Sequence, residues 1–213
     1  MTTIGLIGAG DFGSQVARWL VEGGHSVVIS NSRGPASLTP LVSELGPRAR
    51  AGSVQEAARA GELVIVAIRL KHYRSLPVEP LAGKLVIDAN NYYPAQDGRF
   101  PALDAGQVTS SELMQQHLAA AQLVKALNHI NADELTRDGQ PAGAARRRAL
   151  VIAGDHASAK ASVSTLFDQL GFDTVDAGAL KEGWRIQPGT PGYAKWRTAA
   201  ELARDLAAAQ RHL

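Results

Sequence analysis

A glycine-rich turn close to the N-terminus constrains the fold more than any other feature of the sequence. The turn has the spacing G-x-G-x-x-G and consists of Gly8, Ala9, Gly10, Asp11, Phe12 and Gly13. An apolar run at 4–7 precedes it, and a stretch with helical periodicity at 12–22 follows it. This is the context that a dinucleotide-binding turn requires, in which glycines allow a tight bend and let a pyrophosphate approach the start of the helix.

The end of the second predicted strand, at 25–30, indicates which dinucleotide such a turn would bind. Sites for NAD usually carry an acidic residue there, on the 2′-hydroxyl of the ribose. Here no acidic residue occurs between Gly23 and Ser43, and the strand runs into Asn31, Ser32 and Arg33. An amide, a hydroxyl and a guanidinium suit a 2′-phosphate, which arginine can bind through two hydrogen bonds. We therefore expect NADP(H) as the cofactor.

Short β-rich runs alternate with helical segments along the chain. The pattern predicts strands at 4–7, 25–30, 49–51, 63–68, 85–87, 123–127, 150–153 and 172–175. It predicts helices at 12–22, 41–45, 53–60, 109–119, 156–170 and 193–210, and a long loop at 178–192. Such alternation is typical of an α/β fold, here a Rossmann-type, doubly wound and mainly parallel sheet. We expect an NADP-binding domain over 1–127 and a small C-terminal α/β extension over 128–213 that completes the active site.

Composition narrows the classes of partner. The 213 residues carry a formal net charge of only +2, and the charges are scattered, which gives no reason to expect a nucleic-acid partner. No cysteine is present, which excludes disulfides and thiolate metal sites, and the histidines lack metal-ligand spacing. The longest apolar run, 63–68, is too short to cross a membrane. We expect a cytoplasmic protein without a bound metal that acts on small molecules.

Four groups of residues together resemble a known family. They are the glycine turn at 8–13, the polar residues at 31–33, Ala67 and Ile68 followed by His72, and the run at 124–128. The combination resembles the NADP oxidoreductases that depend on coenzyme F-420, a deazaflavin. It also resembles the related cytoplasmic oxidoreductase domains of STEAP-type metalloreductases. The likeness extends over nearly the whole chain.

The resemblance implies a reductase that moves hydride between NADPH and coenzyme F-420, a flavin or another small acceptor. It implies that Ser32 and Arg33, beside Asn31, hold the 2′-phosphate. It places Ala67, Ile68 and Arg69 at the nicotinamide pocket with His72 beyond, and Leu127, Asn128 and Ile130 on the acceptor side. Asn128 stands where deazaflavin-using members tend to carry histidine, and it is more like the metalloreductase domains. Relatives are commonly homodimers, so we expect a homodimer here.

Hydride transfer between two bound heterocycles depends mainly on proximity and orientation, so we do not expect a catalytic triad. His72 and Asn128 are the catalytic candidates. His72 and His129 could steer or protonate an acceptor, because histidine titrates near neutral pH, but Asn128 occupies the position that matches the family better than its neighbour His129 does. Asn90 follows the fifth predicted strand, at the edge where parallel strands meet their ligands. Its amide suits a ribose or a carboxamide, and an Asx-type turn is the structural alternative.

Other patterns favour structural roles. The arginine run at 146–148 has the appearance of a solvated charge run. Four histidines are interpreted as surface or capping residues: His25, His117, His156 and His212. Trp184 has three competing interpretations: a loop anchor, a wall of the acceptor site or a dimer contact. Two other functions stay open at this stage, a non-catalytic NADP(H) sensor and a small hydroxy- or imino-acid dehydrogenase.

Overall fold

The computed structural model describes residues 1–211, whose strands form one eight-stranded sheet in the order β3-β2-β1-β4-β5-β6-β7-β8. The strands are β1 Thr3–Ile7, β2 Ser26–Ser30, β3 Ala49–Ala51, β4 Leu63–Val66, β5 Leu85–Asp88, β6 Gln122–Lys125, β7 Ala149–Gly154 and β8 Asp173–Asp176. The first six are parallel and follow the 3-2-1-4-5-6 order of a Rossmann fold. The predicted fold class is confirmed.

Ten α-helices within residues 1–211 cover the two faces of this sheet. They are α1 Asp11–Glu22, α2 Thr39–Leu45, α3 Val54–Ala60, α4 Val78–Leu81, α5 Pro94–Asp97, α6 Pro101–Asp104, α7 Ser110–His117, α8 Glu134–Arg137, α9 Ala157–Gln169 and α10 Ala199–Ala208. Apolar side chains of α1 and α9 bury one face of the sheet, and those of α3, α4 and α7 bury the other. Shorter 3-10 helices connect several of these elements, including Leu70–Ser75 and Leu180–Ile186.

The register of the parallel strands brings their C-terminal ends to one line. Ile7 pairs with Ser30 on one side and with Val66 on the other. Val66 pairs with Asp88, and Asp88 pairs with Lys125. The residues that follow these five therefore leave the sheet side by side, at the edge where α/β proteins bind their ligands.

The C-terminal part continues the same sheet. β7 pairs antiparallel with β6, and β8 pairs parallel with β7. Helix α10 and the 3-10 helix Leu180–Ile186 pack on these strands. The antiparallel step at β6 ends the doubly wound pattern and places later segments of the chain beside the ends of β5 and β6.

Two predicted boundaries differ from the structure for local reasons. β4 ends at Val66 rather than at 68, because the N–H of Ile68 donates to Asn90 Oδ1 instead of to a neighbouring strand. The last helix begins at Ala199 rather than at 193, because Thr198 and Glu201 form its capping box. The predicted loop at 178–192 contains the 3-10 helix Leu180–Ile186.

The arginine run was wrongly predicted to be solvated. Arg148 is completely buried, and its guanidinium pairs with Asp138 at 2.5 Å and with Glu134 at 3.0 Å. Arg147 is also buried and bridges two carboxylates, at 2.5 Å and 2.9 Å. Of the three, only Arg146 is exposed. The charges tolerate burial because they are paired, which a run of like residues does not reveal.

The histidines assigned to the surface or to caps have mixed environments. His25 is buried, so its assignment was wrong. His156 occupies the N-cap position of α9, and His117 Nε2 contacts the carbonyl oxygen of Leu76 at 2.9 Å. His212 lies outside the described residues. Within residues 1–211 no helix has the length and hydropathy to span a membrane, and no group of three or more potential ligand side chains is placed to hold a metal.

Candidate functional site

A cleft of about 970 Å³ runs along the C-terminal ends of the parallel strands. All fifteen residues that the sequence singled out as catalytic or cofactor-binding line it: Gly8, Ala9, Gly10, Asp11, Phe12, Gly13, Asn31, Ser32, Arg33, Ala67, Ile68, Arg69, His72, Asn90 and Asn128. Its volume is at the upper end of the range for small-molecule sites. The fold thus brings together side chains that are up to 120 positions apart in the sequence.

The glycine turn is built by contacts that no larger residue permits. Gly8 has φ +113°, and a Cβ there would lie 2.0 Å from the carbonyl oxygen of Ala67. Its N–H donates to Ser30 O at 3.0 Å, which ties the turn to β2. A Cβ on Gly13 would lie 2.0 Å from Gly8 O. Gly10 has no atom within 4 Å of its Cβ position, so the middle of the turn faces open space.

Helix α1 begins directly behind this open turn. Its N-cap residue, Gly10, has no side chain to satisfy the first N–H groups. The hydroxyl of Ser14 donates back to Gly10 O and Asp11 O, so it also leaves those N–H groups free. Free N–H groups and the positive end of the helix dipole together favour an anion at this place.

The polar residues after β2 form a loop that is fixed by its own hydrogen bonds. Asn31 Oδ1 accepts from the N–H of Arg33 at 3.0 Å, and Asn31 Nδ2 donates to Ser37 Oγ at 2.9 Å. Ser32 and Arg33 are exposed at the cleft. The Arg33 guanidinium forms no ion pair with any carboxylate of residues 1–211. It is therefore available to an anionic ligand.

Asparagine side chains dominate the opposite end of the cleft. Asn90 is buried, and its Oδ1 accepts from the N–H of Ile68 at 2.8 Å. Asn91 Nδ2 donates to Asn128 O at 2.7 Å, and Asn128 Nδ2 donates back to Asn91 Oδ1 at 3.1 Å and to Ile186 O at 2.9 Å. Within residues 1–211, Asn90 Nδ2 and Asn128 Oδ1 are buried without a hydrogen-bond partner. One donor and one acceptor thus remain unsatisfied at this end.

A buried ion pair holds one of these asparagines, Asn90, in place. Asp88 and Lys125 are the last residues of β5 and β6, and Lys125 Nζ lies 3.4 Å from Asp88 Oδ2. Ser111 Oγ donates to the same carboxylate at 2.6 Å. Lys125 also donates to Asn90 O, and Asp88 Oδ1 accepts from Asn90 N–H at 2.9 Å. Burial lowers the pKa of Lys125, and the adjacent Asp88 opposes that shift. The pair fixes the backbone of Asn90.

Two tyrosines close this end of the cleft. The hydroxyls of Tyr93 and Tyr193 are 2.6 Å apart, and Asn91 Nδ2 donates to the Tyr193 oxygen at 3.3 Å. Burial raises the pKa of Tyr193. Sequence reasoning missed Tyr193, because the residue was assigned to the start of the last helix. Gly192 directly before it was the available signal of a turn.

The remaining candidates separate into residues at the cleft and residues away from it. His72 is exposed on the 3-10 helix Leu70–Ser75 and lines the cleft. His129 does not line it: its Nε2 accepts from Val151 N–H at 3.2 Å, and burial lowers its pKa to about 3. Trp184 lies against a separate cavity of about 120 Å³, with the Arg185 guanidinium 4.6 Å from its ring centre.

These features are a chemical fit to NADP(H). The open turn and the uncapped helix suit a pyrophosphate, and the unpaired Arg33 suits a further phosphate. The unsatisfied amide of Asn90 suits a carboxamide or a ribose at the far end. Asp11, at the mouth of the glycine turn, is exposed, so water screens its negative charge.

Comparison with known proteins agrees with this chemistry. Residues 3–92 match the model of the family described as NADP oxidoreductase, coenzyme F-420-dependent. A structure from Sinorhizobium meliloti, the hypothetical protein SMa0349, is 32% identical with a TM-score of 0.79, over 93% of this chain and 96% of that one. Over residues 3–92 the chain thus matches a family of NADP oxidoreductases, and the resemblance seen in the sequence is confirmed.

Two further relatives show the range of the similarity. The structure of a candidate F-420-dependent NADP-reductase from Arthrobacter sp. FB24 is 28% identical with a TM-score of 0.72, over 84% of this chain and 86% of that one. Metalloreductase STEAP3 of Rattus norvegicus is 32% identical over 189 residues, which are 86% of this chain and 35% of that protein. The chain thus spans about a third of the length of the curated metalloreductases that it matches.

Proposed function

We propose that the cleft binds NADPH along the strand ends and transfers hydride to a flat, conjugated acceptor of the deazaflavin or flavin type. The observation that carries the proposal is the convergence of an open glycine turn, an unpaired arginine and an unsatisfied amide pair in one cleft. The bound nucleotide supplies the hydride. The protein's task is then to hold two rings in reacting distance and to exclude water.

The nucleotide lies across the strand ends in the order β2, β1, β4 and β5. Asn31, Ser32 and Arg33 hold the 2′-phosphate beside β2, with Arg33 as the charged partner. The residues of the glycine turn, 8–13, receive the pyrophosphate at the start of α1. Because the sheet order continues to β4 and β5, the nicotinamide lies against Ala67, Ile68 and Arg69 and within reach of Asn90.

The acceptor occupies the far end of the same cleft. Leu127 and Ile130 line the cleft there, and Asn128 has a buried carbonyl oxygen without a partner in residues 1–211. A ring system with alternating donors and acceptors on one edge, such as the pyrimidine edge of a flavin or deazaflavin, complements these amides. His72, on the exposed side, steers the acceptor at the mouth. The family description and the name of the Arthrobacter relative support coenzyme F-420 as the first acceptor to examine.

We further propose that the two parts of the chain have separate roles, with the boundary at Leu127. Residues 1–127 bind the nucleotide, and residues 128–213 complete the acceptor side. Asn128, Ile186 and Tyr193 support this division, because the first and last line the cleft and the carbonyl of Ile186 holds the Asn128 amide.

The cofactor half is tested by titrating the purified protein with NADPH and with NADH, for the wild type and for Arg33→Ala. Loss of a hydrogen-bonded charge on the 2′-phosphate should weaken NADPH binding by roughly 10-fold to 100-fold and leave NADH binding unchanged. Arg204→Ala, an exposed arginine on α10, is the matched control and should change neither. Equal affinity of the wild type for NADPH and NADH would contradict the phosphate site.

The acceptor half is tested by following NADPH oxidation with coenzyme F-420, FMN, riboflavin and a ferric chelate in turn. Turnover with a ring acceptor supports the proposal. Binding of NADPH without turnover of any acceptor would favour the alternative of an NADP(H) sensor.

A further inference from the structure

The two tyrosines at the end of the cleft come from distant parts of the chain. Tyr93 follows β5, and Tyr193 lies between the 3-10 helix Leu180–Ile186 and α10. Their hydroxyl oxygens are 2.6 Å apart, and both residues line the cleft. Tyr93 is 38% exposed, whereas Tyr193 is partly buried. The pair therefore connects solvent to the interior of the cleft.

The hydrogen bonds around Tyr193 determine where its own hydrogen points. A phenol oxygen accepts up to two hydrogen bonds and donates one. Asn91 Nδ2 donates to the Tyr193 oxygen at 3.3 Å, which uses one acceptor position. When Tyr93 donates through the 2.6 Å contact, the second acceptor position is filled. The Tyr193 hydrogen is then free to point into the cleft, which Tyr193 lines.

Reduction of a ring acceptor by hydride offers such a hydrogen a role. The hydride places an electron pair on the conjugated system, and a proton on a ring nitrogen or oxygen neutralises the negative charge that results. His129 cannot supply it, because it is sealed from the cleft and its pKa is lowered by burial. The Tyr193 hydroxyl is protonated at neutral pH, as the hydroxyl of any tyrosine is, and a proton donor must be in that state.

We propose that Tyr193 is the proton donor of this oxidoreductase and that Tyr93 returns a proton to it from solvent. The inference rests on the function proposed above, and it narrows the substrate class to acceptors that gain both a hydride and a proton. The C–H bond of NADPH breaks and its hydride adds to the acceptor ring, while the Tyr193 O–H bond breaks and its proton binds the ring heteroatom. Tyr93 then passes a proton to Tyr193 and takes one from water. NADPH, acceptor and one proton thus give NADP⁺ and the two-electron-reduced acceptor.

The experiment compares Tyr193→Phe, Tyr93→Phe and the control Tyr92→Phe. Tyr92 is suitable because its hydroxyl donates to Asp104 at 2.8 Å and does not line the cleft. For each protein, kcat is measured with NADPH and coenzyme F-420, FMN or riboflavin, and NADPH affinity is measured by fluorescence. A readout without turnover is the affinity of the NADP⁺ complex for oxidised FMN, followed by flavin fluorescence.

Loss of the Tyr193 hydroxyl should lower kcat by about 100-fold with unchanged NADPH affinity. It should also weaken FMN binding to the NADP⁺ complex by roughly threefold to tenfold, because one hydrogen bond is lost. Tyr93→Phe should lower kcat less, and Tyr92→Phe should have no effect. The solvent isotope effect on kcat should be present in the wild type and altered in Tyr193→Phe.

The possible failures are distinguishable. If the wild type turns over and Tyr193→Phe is equally active, Tyr193 is not the proton donor and the proposed function still stands. The same conclusion follows if the fall in kcat of Tyr193→Phe is matched by weaker NADPH binding. A wild type that binds NADPH but reduces none of the three ring acceptors overturns the acceptor class and the proton donor together. A wild type that does not bind NADPH overturns the proposed function at its first step.

Discussion

The two ends of the cleft are built in different ways. The glycine end, residues 8–13 with 31–33, is formed mainly by backbone atoms, and the side chains of Asp11, Ser32 and Arg33 are exposed there. The amide end, which consists of Asn90, Asn91, Asn128, Tyr93 and Tyr193, is made of side chains from three segments of the chain, and all of them except Asn90 are linked to one another by hydrogen bonds. Local geometry determines the first, and tertiary packing determines the second.

This difference has an energetic counterpart. The glycine end gains its shape from conformations and close approaches that only glycine allows, as at Gly8. The amide end depends on a charge pair, Asp88 and Lys125, that is almost fully removed from water. A pair of that kind is costly to break, because removal of one partner leaves an uncompensated charge in the interior. Mutations at the glycine end should therefore act through backbone strain and steric overlap, whereas mutations at the amide end should act through an unpaired buried charge.

The largest effect is expected from Lys125→Met, which leaves the Asp88 carboxylate buried without its cation. We expect a loss of about 3–5 kcal/mol in the free energy of unfolding, measured with urea. Because the pair fixes the backbone of Asn90, a proposed nucleotide contact, NADPH affinity under native conditions should also fall.

The double variant Asp88→Asn with Lys125→Met is the control for that prediction. It removes both charges and keeps an acceptor for Asn90 N–H and a partner for Ser111. Most of the lost stability should return. A double variant as unstable as Lys125→Met would show that packing, rather than charge, dominates at this position.

The glycine end is also the part of the site that the sequence predicted best. A fingerprint of six consecutive residues, a preceding strand and a following helix are local properties, and so is the absence of acid after β2. The parallel order of β1 to β6 follows from the same alternation of elements. These features need no knowledge of distant contacts, and the structure has all of them.

The amide end was only partly predictable. Asn90 could be named because it follows a predicted strand, and Asn128 because of the family resemblance. Nothing local links either of them to Tyr193, which lies 65 positions beyond Asn128. Burial of Arg147 and Arg148 was missed for the same reason. Their partners, among them Asp168 and Asp138, lie on separate helices or loops that only the folded chain brings close.

An intermediate effect is expected from Gly8→Ala at the glycine end. The new Cβ would meet Ala67 O at 2.0 Å, and alanine is strained at φ +113°. Strain and overpacking together should cost about 2–4 kcal/mol of stability. Gly24→Ala is the control, because Gly24 has φ +86° but no atom within 4 Å of the new Cβ. It measures the backbone strain without the steric overlap and should cost about 1–2 kcal/mol of stability. Equal losses in urea unfolding would mean that the close approach at Ala67 contributes nothing.

The smallest effect on stability, and the sharpest separation of folding from binding, is expected from Gly10→Ser. Gly10 is the N-cap of α1 with φ −77°, which any residue adopts, and its Cβ position is open. Serine is a better N-cap than glycine, so stability should stay the same or rise by about a few tenths of a kcal/mol. The same hydroxymethyl group would project into the space that we assign to the pyrophosphate, so NADPH affinity should fall sharply while the melting temperature does not. If NADPH bound as tightly to this variant as to the wild type, the open space at the turn would not be where the phosphates lie, although the fold around it would be unchanged.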